Sequence, residues 1–319
     1  MLTYILFVVG FIVLILGANW LITGASSLGL RFGLSQLIIG LTIVALGTSL
    51  PELVINVFAS INGNTDLAMG NVIGSNITNT LLVIGVAAVI FPIKVRQIIN
   101  KRDMWFNLLA VIMVMLLAND FIFGRKHNAI NQVDALILLA ILVYYLYVSF
   151  FKDKQDKKDD HSEEVKIISL SRSIAFIILG GVGLFIGGKW IISGVSQLST
   201  DLGASESTLG LTLIAGATSL PELVTTIIAA RKKNTDIAFG NAIGSNIFNI
   251  FLVLGCSALI HPIDFDLALN VQIGMLVLFS FLLMLFIHAG KEKTTISRIE
   301  GILLIFGYFC FLYYSIYVN

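Results

Sequence analysis

The stretch that decides the fold is GLTIVALGTSLPELVINVFASINGNTDLAMGNVIGSNITNTLLVIGVAAVIFPI, which runs from Gly40 to Ile93. It returns from Gly210 to Ile263 as GLTLIAGATSLPELVTTIIAARKKNTDIAFGNAIGSNIFNIFLVLGCSALIHPI. The two copies align without a gap at an offset of 170 residues, and 31 of the 54 positions are identical. Chance similarity between apolar helices would not keep proline, glutamate, aspartate, asparagine and serine in register. The chain therefore contains an internal duplication.

The composition is that of a membrane protein. Of the 319 residues, 57% are hydrophobic and 12% are charged, whereas soluble domains carry about 25% charged residues. The net charge is +1 and the basic residues form short separate clusters, so no nucleic-acid groove is indicated. Cys256 and Cys310 lie in apolar stretches without a metal-ligand spacing, and the sequence predicts no cofactor.

Ten apolar windows are long enough to cross a bilayer as helices, for which about 20 residues are needed. They are predicted at residues 3–23, 35–61, 66–92, 103–119, 130–151, 171–193, 205–231, 236–260, 267–288 and 296–317. Between the fifth and sixth windows lies a mixed-charge run with almost no apolar content, which predicts a solvated linker. We therefore expect an all-α polytopic membrane protein with five-helix repeats at 1–151 and 171–319, joined by a linker at 152–170.

The basic residues predict the side that each loop faces. Seventeen lysines and arginines fall in loops on one side of the ten-span scheme, and only Arg125 and Lys126 fall on the other. Short cytoplasmic loops carry such an excess, so the linker is predicted to face the cytoplasm and both termini to lie outside the plasma (inner) membrane. Because each repeat has an odd number of spans, the second copy would be inverted relative to the first. Transporters of that architecture have a midplane substrate site between the repeats.

A glutamate lies deep in an apolar span of each copy. Glu52 and Glu222 are flanked on both sides by largely apolar residues. A carboxylate at that depth costs about 2.5 to 3.5 kcal/mol on insertion scales and marks a functional site. Pseudo-symmetry would bring the two glutamates together, where they would repel each other unless a cation or a proton lay between them.

A proline precedes each glutamate in the shared sequence Thr-Ser-Leu-Pro-Glu. Proline lacks the N–H that would bond the carbonyl four residues earlier, so backbone oxygens near the glutamate are freed. Such oxygens are tolerated at the midplane where they line a cavity, and they are ligands that Ca²⁺ takes. The same turns add the hydroxyls of Thr48, Ser49, Thr218 and Ser219.

A second polar block, Gly-Asn-x-Ile-Gly-Ser-Asn-Ile-x-Asn, occupies residues 70–79 and 240–249. Its glycines permit close helix contact, and its polar side chains lie four residues apart on one helix face. The metal ligands predicted from it are Ser75, Asn79, Ser245 and Asn249, with Asn71 and Asn241 left open. Asp66 and Asp236 fall at the starts of spans and are predicted to cap helices.

These motifs resemble a known family. The G-T-S-x-P-E and G-S-N-I-x-N/D sequences are similar to the alpha repeats of prokaryotic-type sodium/calcium exchangers in the cation/calcium antiporter superfamily, and the resemblance covers nearly the whole chain. It implies ten helices around a central site, at which Na⁺ and Ca²⁺ compete during alternating access, with Glu52 and Glu222 as the principal Ca²⁺ ligands. It further implies backbone oxygens from Thr48, Thr218, Ala45 and Ala215, and Na⁺ positions at or beside Ser49, Ser219, Ser75 and Ser245.

Two positions depart from the family pattern. Many relatives carry an aspartate where this chain has Asn249, and Ala217 stands where the first copy has Gly47. Two glutamates balance one Ca²⁺ or two Na⁺, whereas three Na⁺ would leave the site with one positive charge. The resemblance therefore leaves the stoichiometry and any dependence on K⁺ open.

The expected function is antiport of Na⁺ and Ca²⁺. The expected partners of the protein are these ions and the lipid bilayer, and no obligatory protein partner is indicated. Ca²⁺/H⁺ antiport through protonation of the same two glutamates remains an alternative. An ion channel would be distinguished by single-channel currents. An enzyme is not expected, because the sequence offers no pairing of a nucleophile with a base and no metal-binding histidines.

Overall fold

The computed structural model describes residues 2–95, 97–119, 128–151, 167–201, 215–289 and 294–317. Most of this part of the chain is helical, which confirms the predicted all-α class. Residues 152–166, which form most of the predicted linker, lie outside the described residues. So do residues 202–214, which include the beginning of the predicted seventh span.

The helices follow the order of the predicted spans. Before the linker they are α1 (Leu2–Arg31), α2 (Gln36–Thr48), α3 (Leu50–Ile61), α4 (Thr65–Ile90), α5 (Gln97–Ala118) and α6 (Gln132–Phe151). After it they are α7 (Leu170–Asp201), α8 (Ala215–Thr218), α9 (Leu220–Arg231), α10 (Thr235–Ile260), α11 (Asn270–Ala289) and α12 (Arg298–Tyr317).

Among the described residues, seven helices are long and apolar enough to cross a membrane. They are α1, α4, α6, α7, α10, α12 and the segment Leu267–Ile287, which contains most of α11. Helices α2 and α3 would form an eighth span that is bent by 46° between them. The predicted span at 103–119 overlaps α5, and the described part of the predicted span at 205–231 overlaps α8 and α9. Neither is among these eight candidates, so the count of ten remains a prediction.

Helices α1 and α7 extend beyond their predicted spans at 3–23 and 171–193. The extension of α1 includes Ser27, whose side chain is completely buried. Its hydroxyl oxygen accepts hydrogen bonds from the backbone N–H of Ile168 at 3.0 Å and from the hydroxyl of Ser173 at 2.9 Å. The span predicted from hydropathy is too short, because hydropathy takes no account of the hydrogen bonds that Ser27 forms with the second half of the chain.

The same two helices pack against each other in opposite directions. A Cβ atom on Gly10 would lie 3.0 Å from the carbonyl oxygen of Gly187, and one on Gly17 would lie 2.9 Å from that of Gly180. Gly10 and Gly17 correspond to Gly180 and Gly187 at the offset of 170 residues, so each contact is repeated with the two copies exchanged. Small residues let helix backbones approach closely in a membrane.

Two short antiparallel strand pairs join the halves of the chain. Strand β1 (Ile93–Lys94) pairs with β4 (Thr295–Ile296), and β2 (Ala129–Ile130) pairs with β3 (Ile263–Asp264). Ile93 lies opposite Ile296, and Ile263 lies opposite Ile130. The end of each duplicated stretch is therefore held by the loop that precedes the last helix of the other half.

The N-caps of α4 and α10 are asparagines. The side chain of Asn64 accepts a hydrogen bond from the N–H of Leu67, and that of Asn234 accepts one from Ile237. The prediction that Asp66 and Asp236 are the caps is wrong, because both lie in the first turn two residues later. Asparagine is as good an N-cap as aspartate, and an acidic side chain in the first turn interacts favourably with the helix dipole.

Candidate cation site

Each glutamate of the repeated motif lies in the first turn of a helix that follows a break. Ser49 interrupts the α2–α3 segment with φ −84° and ψ 6°, and Ser219 interrupts α8–α9 with φ −81° and ψ 3°. Proline suits the first turn of a helix, because a backbone N–H at that position would have no partner within the helix. The breaks therefore leave Glu52 and Glu222 at helix N-termini, where a negative charge is stabilised.

The carboxylates of Glu52 and Glu222 are completely buried. Oε1 of Glu222 accepts hydrogen bonds from the hydroxyls of Ser49 at 3.1 Å and Ser245 at 3.3 Å. Within the described residues, its Oε2 and both carboxylate oxygens of Glu52 have no hydrogen-bond partner. Removing a carboxylate from water costs several kcal/mol unless it is paired. Three unpaired carboxylate oxygens therefore fit a cation or a proton and are a poor fit to a purely structural role.

The threonines that precede the helix breaks reach across to the opposite copy of the repeat. Oγ1 of Thr48 lies 3.1 Å from Oδ1 of Asn241 and 3.3 Å from Oγ of Ser245. The residues related to these by the offset make the same two contacts at the same distances, between Thr218 and Asn71 and between Thr218 and Ser75. The site is thus assembled from both copies, and each copy contributes the same residue types.

The last asparagine of each second block begins a π-helical turn. These turns cover Asn79–Val83 and Asn249–Leu254, and such bulges are frequent at functional sites. Nδ2 of Asn249 donates a hydrogen bond to Oδ1 of Asn76 at 3.1 Å. Oδ1 of Asn249 and both polar side-chain atoms of Asn79 are buried without a partner among the described residues, so both amide oxygens are available to a ligand.

The remaining candidate ligands differ in their surroundings. The carbonyl oxygen of Ala45 accepts hydrogen bonds from the hydroxyl of Thr48 at 3.1 Å and from the N–H of Ser49 at 3.0 Å. The hydroxyl of Ser219 is buried and has no partner among the described residues. Ala215 is the first residue of α8, and its side chain lies outside the described part of the structure.

Comparison with known proteins identifies the family. The sequence profile of the sodium/calcium exchanger protein family matches residues 2–151 and 172–317. The chain belongs to this family. The sodium/calcium exchanger MaX1 of Methanosarcina acetivorans is 31% identical to it, with 99% of each chain covered. The inner membrane protein YrbG of Escherichia coli is 35% identical, with 96% of this chain and 94% of its own length covered.

The structure of this sodium/calcium exchanger family member matches that of a solved exchanger. The sodium-calcium exchanger NCX_Mj, soaked with 2.5 mM Na⁺ and 0.1 mM Ca²⁺, superposes with a TM-score of 0.82 at 32% identity, with 97% of each chain covered. The same exchanger soaked with zero Na⁺ and Ca²⁺ superposes with a TM-score of 0.81. The chain therefore has the exchanger fold and is a multi-pass membrane protein.

The candidate site of this exchanger family member offers mainly oxygen atoms to a ligand. The described residues contain no group of three or more histidine, cysteine, aspartate or glutamate side chains that could hold a metal ion. Two carboxylates with hydroxyl, amide and carbonyl oxygens suit hard cations such as Ca²⁺ and Mg²⁺ and do not suit Zn²⁺, which prefers nitrogen and sulfur.

Sequence reasoning missed two polar residues beside the site. Asn56 and Thr226 lie one helical turn after the glutamates and are completely buried. Nδ2 of Asn71 donates to Oδ1 of Asn56 at 2.6 Å, and Nδ2 of Asn241 donates to Oγ1 of Thr226 at 3.0 Å. The two positions correspond at the offset but carry different residues, so a search for identity between the copies passes over them. Polarity one turn after Glu52 and Glu222 was the signal that could have found them.

Proposed function

We propose that this protein exchanges Na⁺ for Ca²⁺ across the membrane by alternating access, at a midplane site built from two inverted five-helix repeats. The observation that carries the proposal is the pair of buried carboxylates at the broken helices, three of whose four oxygens have no partner among the described residues. Membership of the sodium/calcium exchanger family supports it.

The proposed ligands are the oxygen donors of the repeated motifs. Glu52 and Glu222 supply the carboxylates that bind Ca²⁺. Around them lie Thr48, Thr218, Ala45 and Ala215 as backbone donors, Ser49, Ser219, Ser75 and Ser245 as Na⁺ positions, and Asn79 and Asn249 as amide donors. These are twelve positions in six related pairs.

Competition between the two ions follows from charge. Two carboxylates hold a charge of −2, which one Ca²⁺ or two Na⁺ neutralise. In a buried site, an excess charge of either sign costs several kcal/mol. Ca²⁺ and a full complement of Na⁺ therefore cannot occupy the site at the same time. When such a site is exposed alternately to the two sides of the membrane, the transport of Ca²⁺ is coupled to the transport of Na⁺.

The proposed topology follows the distribution of basic residues. With ten spans, both termini lie outside and the linker at 152–170 faces the cytoplasm of the plasma (inner) membrane. The repeats at 1–151 and 171–319 then have opposite orientations. The antiparallel packing of α1 against α7, through glycines that correspond in the two copies, supports this arrangement.

Ca²⁺/H⁺ antiport is the second candidate function. It is favoured by Glu52, whose two carboxylate oxygens have no hydrogen-bond partner among the described residues. A proton on this group would neutralise it without any further ligand. The same site would then exchange Ca²⁺ for protons.

Ca²⁺ uptake into Na⁺-loaded proteoliposomes tests the proposal. We expect uptake that requires an outward Na⁺ gradient and is abolished by Glu52→Gln and by Glu222→Gln. Asp66→Asn is the matched control, since it removes one negative charge from an exposed position of α4. Uptake that ignores Na⁺ but follows a pH gradient would replace the proposal with proton antiport. Transport that persists in both glutamine variants would exclude the site.

A further inference from the structure

The orientation of two asparagine side chains at the site is set by neighbours outside the twelve proposed ligands. In the first copy, Nδ2 of Asn56 donates to the carbonyl oxygen of Ala68 at 2.9 Å, which leaves Oδ1 of Asn56 as the acceptor for Nδ2 of Asn71. A backbone carbonyl can only accept hydrogen bonds. The direction of this chain of hydrogen bonds is therefore fixed from its beginning at Ala68.

The direction passes from the asparagine to the threonine of the opposite copy. Since Nδ2 of Asn71 faces Asn56, its Oδ1 faces Thr218, whose hydroxyl donates to it at 3.1 Å. A hydroxyl has one hydrogen and two lone pairs. With the hydrogen directed at Asn71, one lone pair of Thr218 accepts from the hydroxyl of Ser75 at 3.3 Å, and the other faces away from Asn71. A cation binds to lone pairs.

The second copy has the same design with a different residue. Nδ2 of Asn241 donates to Oγ1 of Thr226 at 3.0 Å and to the carbonyl oxygen of Glu222 at 3.2 Å. Its Oδ1 therefore faces Thr48, whose hydroxyl shares its one hydrogen between this oxygen and the carbonyl oxygen of Ala45, each at 3.1 Å. Among the described residues, Nδ2 of Asn241 has two hydrogen-bond acceptors and Nδ2 of Asn71 has one. The orientation of Asn71 therefore depends more strongly on Asn56.

We propose that Asn56 and Thr226 are positioning residues of the cation site, which hold Asn71 and Asn241 so that Thr218 and Thr48 present hydroxyl lone pairs to the bound ion in addition to their backbone oxygens. The inference rests on the proposed function, since it assumes a cation at this site. Neither residue needs to touch the ion, because each acts through one asparagine and one threonine.

The two copies supply the matched variants. Valine and threonine have nearly the same shape, so Asn56→Val and Asn56→Thr differ chiefly in a hydroxyl, and Asn56→Thr installs the residue that the second copy uses at this position. Thr226→Val removes only the hydroxyl from the second copy. Ca²⁺ affinity in detergent without Na⁺, the KM and maximal rate of Ca²⁺ transport, and thermal unfolding are measured for each variant.

We expect Asn56→Val to weaken Ca²⁺ affinity and raise the KM about tenfold while the maximal rate is kept, since the acceptor that orients Asn71 is lost together with the donor to Ala68. Asn56→Thr should stay within about twofold of the wild-type protein, because its hydroxyl can still accept from Asn71. Thr226→Val should cost about threefold, because Asn241 keeps the carbonyl of Glu222.

Equal loss of affinity in Asn56→Val and Asn56→Thr would overturn the proposal, and so would unchanged affinity in Asn56→Val. If Asn56→Val does not fold, the proposal is tested by comparing the Ca²⁺ affinity of Thr226→Val with that of the wild-type protein. Unchanged Ca²⁺ affinity in Thr226→Val would then overturn the proposal. Failure of the proposed function is a separate outcome. Wild-type protein that binds Ca²⁺ but is driven by protons contradicts Na⁺ exchange and leaves the comparison of Ca²⁺ affinities valid.

Discussion

The hydroxyl of Ser49 donates a hydrogen bond to Oε1 of Glu222 at 3.1 Å, across the boundary between the two copies of the repeat. The related serine behaves differently, because the buried hydroxyl of Ser219 has no partner among the described residues. The two copies therefore share their motifs but not the hydrogen bonds around their carboxylates.

Ser49→Ala tests this difference. Removing the hydroxyl deletes a hydrogen bond to a buried carboxylate, so we expect the free energy of unfolding in the absence of cations to fall by about 1.5 to 3 kcal/mol. The matched variant Ser219→Ala loses no described hydrogen bond and should change stability much less. Thermal unfolding in detergent measures both variants. Equal destabilisation would contradict the asymmetric arrangement.

Asn249→Asp tests the link between carboxylate count and stoichiometry. A third carboxylate would balance one more Na⁺, so we expect the charge moved per Ca²⁺ to increase by about one unit. The variant also loses the amide donor to Asn76, which should lower stability. The dependence of Ca²⁺ uptake into proteoliposomes on membrane potential measures the change, because exchange of two Na⁺ for one Ca²⁺ moves no net charge and exchange of three Na⁺ moves one. Asn249→Gln keeps the neutral amide and serves as the control. The same dependence on membrane potential in Asn249→Asp and the wild-type protein would show that this position does not set the Na⁺ count.

Gly17→Ala tests the packing of α1 against α7. The new Cβ would lie 2.8 Å from the backbone nitrogen of Leu184 and 2.9 Å from the carbonyl oxygen of Gly180, and backbone atoms cannot move aside as a flexible side chain can. We expect overpacking to cost about 1 to 3 kcal/mol. Gly274→Ala in α11 is the control, because nothing lies within 4 Å of its Cβ position. If both variants unfold at the same temperature, the close approach of the two helices is wrong.

Lys232 and Asn19 form a contact whose related pair is not formed. Nζ of Lys232 donates to Oδ1 of Asn19 at 3.0 Å, and partial removal from water lowers the pKa of this ammonium group. At the offset of 170 residues, Lys189 corresponds to Asn19 and Asn62 corresponds to Lys232, so the same two residue types recur in exchanged order. The amide of Asn62 donates to the carbonyl of Phe58, and no hydrogen bond between Asn62 and Lys189 is present in the described part of the chain.

Alternating access would exchange the conformations of the two repeats, so we expect Lys189 to approach Asn62 in the state in which Lys232 leaves Asn19. Cysteine pairs at positions 19/232 and 62/189, in a background without the native cysteines, can be linked with a short bifunctional thiol reagent in the presence of Na⁺ or of Ca²⁺. Each pair should link in a different ionic condition. Linking of the 19/232 pair alone under every condition would contradict the exchange.

The helix order and the polar motifs were predictable from the sequence because both are local properties. A run of about 20 apolar residues predicts a span wherever it occurs, and proline before Glu52 and Glu222 predicts a break within a helix. The offset of 170 residues then indicated which residues form related pairs, and family membership agrees with the function class that those motifs predict.

The contacts across the two repeats were decided by tertiary structure. Spacing along the chain places Ser49 and Ser219 in equivalent turns, but only the packing of helices from opposite halves brings Ser49 to Glu222. Asn56 and Thr226 were missed for the same reason, since their role depends on Asn71 and Asn241 in a neighbouring helix. Local sequence governs which backbone conformation a segment adopts and how apolar it is. Which buried polar atoms find partners depends on distances between segments far apart in the chain, and no local pattern encodes those distances.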